Sequence, residues 1–200
     1  MKLIALVGPA GCGKSTVAKI LAQEFAYKRI KFSQPLKDML LALGLTEAHT
    51  EGSLKSIPCD LLGGKTPRYA MQTLGTEWAR DIMGKNFWAN IWRTRVQEHR
   101  CERHLNRHSR WRSVVTEDCR FENEAKLVRE LGGEIWVIER PSYSYTGHSS
   151  ETEMSDIDGD LIIKNQGNIE ELKVMVRGVL GRCEPSWYEA GEEGLHKGIC

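Results

Sequence analysis

The sequence predicts an α/β fold, a three-layer sandwich in which helices cover both faces of a mainly parallel five-stranded sheet. Three observations carry this expectation. Five short apolar segments rich in β-branched residues read as strands; stretches with apolar residues three and four apart lie between or after them; and the glycine-rich run "GPAGCGKST", residues 8–16, joins the first strand to the first helix.

The strands are placed at Leu3 to Val7, Arg29 to Phe32, Ser113 to Thr116, Glu134 to Ile138 and Leu161 to Ile163. Val17, Ile20, Leu21 and Phe25 mark the first helix, and Pro35 suits the first turn of another. Leu127, Val128 and Leu131 mark a later one that Gly132 and Gly133 can end. Ile169, Leu172, Val176 and Val179 mark the last, with Asn168 and Glu171 as a capping pair. Between the second and third strands lie roughly 80 residues, far more than a usual crossover. Residues 34–112 are therefore expected to form a helical insertion. Within it Met71, Leu74, Trp78 and Ile82 recur at helical spacing, and Phe87, Ile91 and "WANIWRTRV" suggest a second helix. The expected domain spans 1–183, leaving a tail at 184–200 without apolar periodicity.

The totals exclude several classes. The chain of 200 residues is long enough for one sizeable core, and a net charge of +1 from 28 basic and 27 acidic side chains makes no field typical of nucleic-acid or membrane binding. Six scattered cysteines without a C-x-x-C pair, one of them inside the glycine-rich loop, read as reduced thiols in a cytoplasmic setting. "MKLIALVG" offers five consecutive apolar residues, too few for a signal-peptide core, and no run approaches a membrane span.

Gly8, Gly13, Lys14 and Ser15 satisfy G-x-x-x-x-G-K-S between a strand and a helix. The glycines let backbone N–H groups turn towards phosphate oxygens, the helix start adds its positive dipole end, and the lysine reaches the outer phosphates. The serine hydroxyl suits Mg²⁺. A nucleoside triphosphate is the expected ligand.

A GTPase would need N-K-x-D where "IIKNQGN" stands, and "DIDG" at 156–159 precedes a strand instead of ending one. A helicase would need a basic groove with stacking aromatics. The one basic run, "HRCERHLNRHSRWR" at 99–112, reads as a solvated face, and its Cys101, His104 and His108 sit among arginines that would repel a metal. A small P-loop kinase remains. Such an enzyme must neutralise two phosphate-bearing substrates and exclude water. In "TPRYAMQTLGTEWAR", spacings of four and eight put Arg68, Gln72 and Arg80 roughly along one face of a continuous helix, suited to a phosphate and a base edge; the same pattern also fits an exposed polar face. Trp88 and Trp92 are four apart, spaced either to stack on a base or to fill a core.

Taken together, "GPAGCGKST", "FSQPLKDML", "TPRYAMQTLGTEWAR", "VVTEDCRFENEAKLVRELGG", "HSSETEM" and "DLIIKNQGNIEEL" resemble the deoxynucleoside monophosphate kinases of tailed bacteriophages, within the P-loop nucleoside monophosphate kinase group. The likeness runs from residue 8 to about residue 180 and is most specific in "TPR…QTLGTE…R" and "D-x-RF-x-NE". It implies a P-loop kinase three-layer sandwich with an acceptor-binding insertion and a lid, placed at 140–158. It implies transfer of the γ-phosphate of ATP to a dNMP with Mg²⁺; a kinase of another small acceptor and a nucleic-acid-coupled NTPase stay as alternatives.

By this resemblance Gly11, Gly13, Lys14, Ser15 and Thr16 bind the ATP phosphates and Mg²⁺, with Lys14 balancing transition-state charge. Asp118 orients the metal or caps the following helix, and Arg120 faces the same crevice; Glu117 ahead of Asp118 leaves open which acid serves the metal. Arg68 and Arg80 clamp the acceptor phosphate. Gln72 and Thr76 reach its base or sugar, while Ser33, Leu36, Lys37 and Trp88 wall the pocket. Arg140 and "SYSYTGHSSE" form the lid, with His148 and Glu151 of undefined role, and Asn165 and Gly167 lie where related kinases seat adenine. Base range and oligomeric state are left open, a homodimer included.

Overall fold

A computed structural model of the chain describes residues 1–105, 113–141, 154 and 156–181. The expected His148 and Glu151, the "SYSYTGHSSE" segment beyond Pro141, residues 106–112 of the basic run at 99–112, and the 184–200 tail lie outside the described residues.

The sheet comprises β1 (Leu3–Val7), β2 (Tyr27–Arg29), β3 (Ser113–Thr116), β4 (Glu134–Glu139) and β5 (Leu161–Lys164). Its order is β2-β3-β1-β4-β5, and every neighbouring pair is parallel. β1 is buried along its whole length. Its side chains alternate, Leu3, Ala5 and Val7 joining one core with Trp92, Val96 and Val128, and Ile4 and Leu6 joining the other with Val17, Leu21, Leu172 and Val176. Two apolar layers on one central strand are what makes the sandwich.

α1 (Lys14–Glu24) and the last helix, α7 (Ile169–Gly181), cover one face, and the Asn168 side-chain oxygen accepts from Glu170 N and Glu171 N at its start. α5 (Phe87–Leu105) and α6 (Glu122–Glu130) cover the other. Between β2 and α5 run α2 (Gln34–Ala42), a short α3 (Glu47–Thr50), 3-10 turns at Ser53–Ser56 and Asp60–Leu62, α4 (Pro67–Gln72) and a π-helix at Thr73–Met83. This insertion has its own small core, with Leu36, Leu40, Met71, Ala79 and Trp88 packed with Trp78 and Phe87.

Two expectations need correction. The sequence pattern places β2 at Arg29 to Phe32, whereas the strand lies at Tyr27–Arg29. Ile30 N still donates to Val115 O, but Phe32 N and Ser33 N donate to Asp118 instead of to a strand, so the chain leaves the sheet. Ile30 and Phe32 are both buried, and that alternation looks like a strand in sequence. The segment 67–83 is continuous but changes winding at Thr73, whose hydroxyl donates to Tyr69 O and Ala70 O and competes with the ladder. Among the described residues no helix is long and apolar enough to cross a membrane, and Cys12, Cys59, Cys101 and Cys119 carry free thiols.

Candidate active site

The phosphate loop leaves β1 at Gly8 and enters α1 at Lys14. Gly8, Gly11 and Gly13 have φ of 145°, 80° and 112°, values a side chain rarely allows. A Cβ at Gly8 would strike the Ile138 carbonyl, and one at Gly13 would lie 2.6 Å from Asn165 Nδ2. Lys14 Nζ folds over its own loop, donating to Gly8 O at 2.5 Å and Pro9 O at 2.7 Å. Gly11 and Ser15 are exposed, and Thr16 N donates to Gly13 O. Asn165 sits behind the loop: it is buried, and its Nδ2 donates to Cys12 O at 2.8 Å, so its described contact holds the loop's shape instead of presenting an amide to adenine.

The two acids after β3 divide sharply. Asp118 Oδ1 accepts from Phe32 N at 3.0 Å and Thr116 Oγ1 at 2.9 Å; Oδ2 accepts from Ser33 N at 2.9 Å and Ser33 Oγ at 2.6 Å. Both oxygens are thus committed to the turn between β2 and α2. Glu117, buried, faces the other way. Ser15 Oγ donates to its Oε1 at 3.5 Å, and Arg29 Nη2 and Lys31 Nζ reach that oxygen at 2.5 and 3.0 Å. Of the two acids between which the sequence leaves the choice open, the one beside the loop serine is Glu117.

From Glu117 an unbroken chain of charge runs outward: Lys31 also meets Glu51 Oε1 at 2.8 Å, and the same oxygen meets Lys37 at 2.7 Å. Burial works against the Glu51 charge, yet hydrogen bonds from Lys31 and Lys37 outweigh it and hold the carboxyl at about 2.

Lys37 opens onto a cavity of about 530 Å³ between the insertion and the sheet. Ala10 of the phosphate loop is on its wall. Phe32, Leu36, Met71, Trp88 and Phe121 supply the apolar lining, while Ser33, Lys37, Lys55, Arg68, Gln72, Thr76, Asp118, Arg120 and Glu124 supply the polar one. The volume suits a small organic ligand. Of the residues expected in the acceptor pocket, Ser33, Lys37, Arg68, Gln72, Thr76 and Trp88 come together here, as does Arg120. Trp88 is anchored by Nε1 donating to Gly75 O at 2.9 Å, whereas Trp92 is core, stacked on Phe32 with centroids 4.4 Å apart.

Arg80 is not on that lining. The side chain is taken up elsewhere than the cavity that holds Arg68 and Gln72. Its guanidinium lies 3.5 Å from the Phe121 ring centroid and donates to Lys85 O. Arg140 leaves β4, and the lid expected there continues into residues that are not described.

Sequence reasoning passes over Glu51, Lys55 and Glu124. The first two sit in "TEGSLKS", a polar stretch with no motif, and only the insertion's length signals them. Glu124 lies inside "RFENE" and reads there as a helix-face carboxylate; instead it is buried, its Oε2 accepting from Arg120 N at 2.8 Å and Phe121 N at 3.3 Å. Burial, opposed by the Arg120 backbone hydrogen bond and aided by Asp118, pushes its carboxyl up to about 8.

Among the described residues no three His, Cys, Asp or Glu side chains converge on a metal position. Ser15 and Glu117 do offer two hard oxygens side by side. That set fits Mg²⁺, which takes few protein ligands when phosphate and water complete its shell.

Known families and proteins resemble this chain over much of its length. The family profile described as deoxynucleotide monophosphate kinase matches residues 64–176, and one described as Rad17 P-loop domain matches residues 1–46, which hold the first strand, the phosphate loop, α1, β2 and α2. A protein of Acanthamoeba polyphaga mimivirus that carries the name putative deoxynucleotide monophosphate kinase is 33% identical over 183 residues, covering 86% of this chain and 92% of its own. Similar solved structures include dephospho-CoA kinase from Campylobacter jejuni (TM-score 0.48, 21% identity, 92% of this chain and 98% of that one) and shikimate kinase from Aquifex aeolicus (TM-score 0.45, 13%, 92% and 98%).

Proposed function

The chain belongs to the deoxynucleotide monophosphate kinase family, and from that premise we propose that it transfers the γ-phosphate of ATP to a deoxynucleoside 5′-monophosphate, giving the diphosphate and ADP. The observation that carries this reading is the cavity beside Ala10: it adjoins the phosphate loop, has apolar walls of base-stacking type, and gathers basic side chains from separate elements of the fold.

No side-chain nucleophile is needed. A phosphate oxygen of the acceptor attacks the γ-phosphorus in line, the bond to the β–γ bridging oxygen breaks, and that oxygen leaves with ADP. The chain's part is to position and to balance charge. The loop amides hold the donor phosphates, and Lys14 exchanges its hold on Gly8 O and Pro9 O for phosphate oxygens. Ser15 and Glu117 would hold Mg²⁺, whose charge balances the β- and γ-phosphates when bound. Asp118 fixes the turn that carries Ser33, and so the cavity wall. Trp88, Phe121 and Met71 enclose the base, with Gln72 and Thr76 within reach of its edge or sugar.

The test is ADP release with ATP and Mg²⁺, with dAMP, dGMP, dCMP, dTMP, the matching ribonucleotides and single-stranded DNA supplied in turn. Turnover dependent on one or more dNMPs is expected. Release stimulated by DNA and by no mononucleotide would overturn the reading.

A further inference from the structure

The acceptor cavity holds more positive charge than its own walls can answer. Among the described residues, Lys37 is the one cavity cation in an ion pair, with Glu51. Lys55, Arg68 and Arg120 line the same cavity, and none of the ion pairs within 4.0 Å among the described residues involves them. Two carboxyls share the lining. Asp118 is turned towards four neutral donors, and Glu124 is engaged with the backbone of its own helix start.

The 3-10 turn Ser53–Ser56 builds this arrangement from a stretch with no sequence motif. It places Lys55 half-buried in the cavity wall, and Ser56 Oγ accepts from Arg68 Nε at 3.2 Å, so one turn both supplies a cation and steadies another. Like charges gathered this way repel at effective protein dielectrics. Burial first, then Lys37 and Arg68 and at longer range Arg120, hold the Lys55 ammonium below its usual range, with Glu51 pulling the other way. An arrangement of this kind is relieved by an anion of matching valence.

We infer that Lys55, with Lys37, Arg68 and Arg120, forms the subsite for the α-phosphate of the acceptor, and that Lys55 contributes a direct phosphate contact. A phosphate monoester is close to dianionic at neutral pH, and planar guanidinium forks beside compact ammonium groups match its three terminal oxygens. Arg80, stacked on Phe121, takes no part. The inference rests on the kinase reading above for the identity of the ligand, though the subsite itself needs only a phosphate monoester.

The experiment compares wild type with Lys55→Met and Lys55→Arg, measuring KM for each dNMP and for ATP and, by calorimetry without ATP, binding of each dNMP and of inorganic phosphate. Lys55→Met should raise the dNMP KM by about tenfold or more while the ATP KM stays within about twofold; Lys55→Arg should restore most of the loss. Acceptor affinity should also fall with rising pH less steeply in Lys55→Arg than in wild type, because arginine keeps its proton. Glu124 titrates in both proteins alike, and Lys37, Arg68, Arg120, Glu51 and Asp118 are unchanged between them. A dNMP KM unmoved in Lys55→Met, or raised no more than that for ATP, overturns the subsite while leaving the kinase reading intact. A wild type that turns over no dNMP, yet binds phosphate monoesters in a Lys55-dependent way, overturns the activity and keeps the subsite. Absence of both turnover and binding overturns both.

Discussion

Replacing Asp118 by Asn separates a structural acid from a metal-orienting one. The side chain keeps its shape but exchanges one acceptor oxygen for an NH₂ donor. Oδ1 serves Phe32 N and Oδ2 serves Ser33 N, so either amide orientation leaves one backbone N–H facing another donor. An orphaned buried donor costs about 1–3 kcal/mol, and weakening the remaining bonds from charged to neutral adds about 1 kcal/mol. A loss of about 2–4 kcal/mol corresponds to a fall in Tm of about 5–12 °C for a domain of this size. Calorimetry or thermal circular dichroism without nucleotide or Mg²⁺ reads this directly. A Tm within about 1 °C of wild type, with a loss confined to Mg²⁺ and ATP dependence, would refute the division of labour between Asp118 and Glu117.

Lys14→Ala should cut turnover by about a hundredfold or more, while water can replace the hydrogen bonds that Lys14 gives Gly8 O and Pro9 O; unchanged kcat in a steady-state assay would remove the loop from the chemistry. Arg68→Ala should raise the dNMP KM and spare that for ATP, whereas Arg80→Ala should act mainly on stability, by about 0.5–2 kcal/mol through the lost Phe121 stack; equal KM effects in the two variants would contradict their separate placement. The Glu124 carboxyl is raised to about 8 in the folded chain, above its ordinary value, so its contribution to stability is full below the unfolded pKa and is lost as pH rises towards 8. Glu124→Gln should therefore gain on wild type across that window, by up to about 1.4 kcal/mol per pH unit, in denaturant titrations run from about pH 5 to pH 8; parallel pH profiles would disprove the buried proton.

The layered sheet is legible in the sequence because parallel strands buried on both faces leave continuous apolar runs, as in "LIALV", "SVVT" and "EIWVIE". The phosphate loop is legible because its glycines answer a backbone requirement that few other residues meet. The end of β2 is not, since Phe32 is buried like a strand residue while its amide is taken by a side chain 86 positions away. Arg80 is grouped with Arg68 and Gln72 by its spacing, but its guanidinium is engaged by the Phe121 ring and Lys85 O, contacts that no spacing reveals. Lys55 and Glu51 are invisible because their meaning arises from neighbours distant in sequence. Glu124 is visible as a letter but not as a buried acid, since no local pattern distinguishes a carboxylate that faces water from one folded back onto its own helix start.

The alternating series Arg29, Glu117, Lys31, Glu51, Lys37 spans the distance from the loop serine to the acceptor cavity. An anion that draws Lys37 off Glu51 leaves Glu51 to Lys31 alone, and a Lys31 held more firmly there neutralises Glu117 less. The acid beside Ser15 is then the better partner for a dication. Linkage makes such an effect run both ways with equal factor: a donor nucleotide carrying its metal would tighten the grip on the acceptor as much as the acceptor tightens the grip on the metal. Two substrates held at opposite ends of this series would in this way sense each other before any group is transferred, and a half-filled enzyme would be the less committed one.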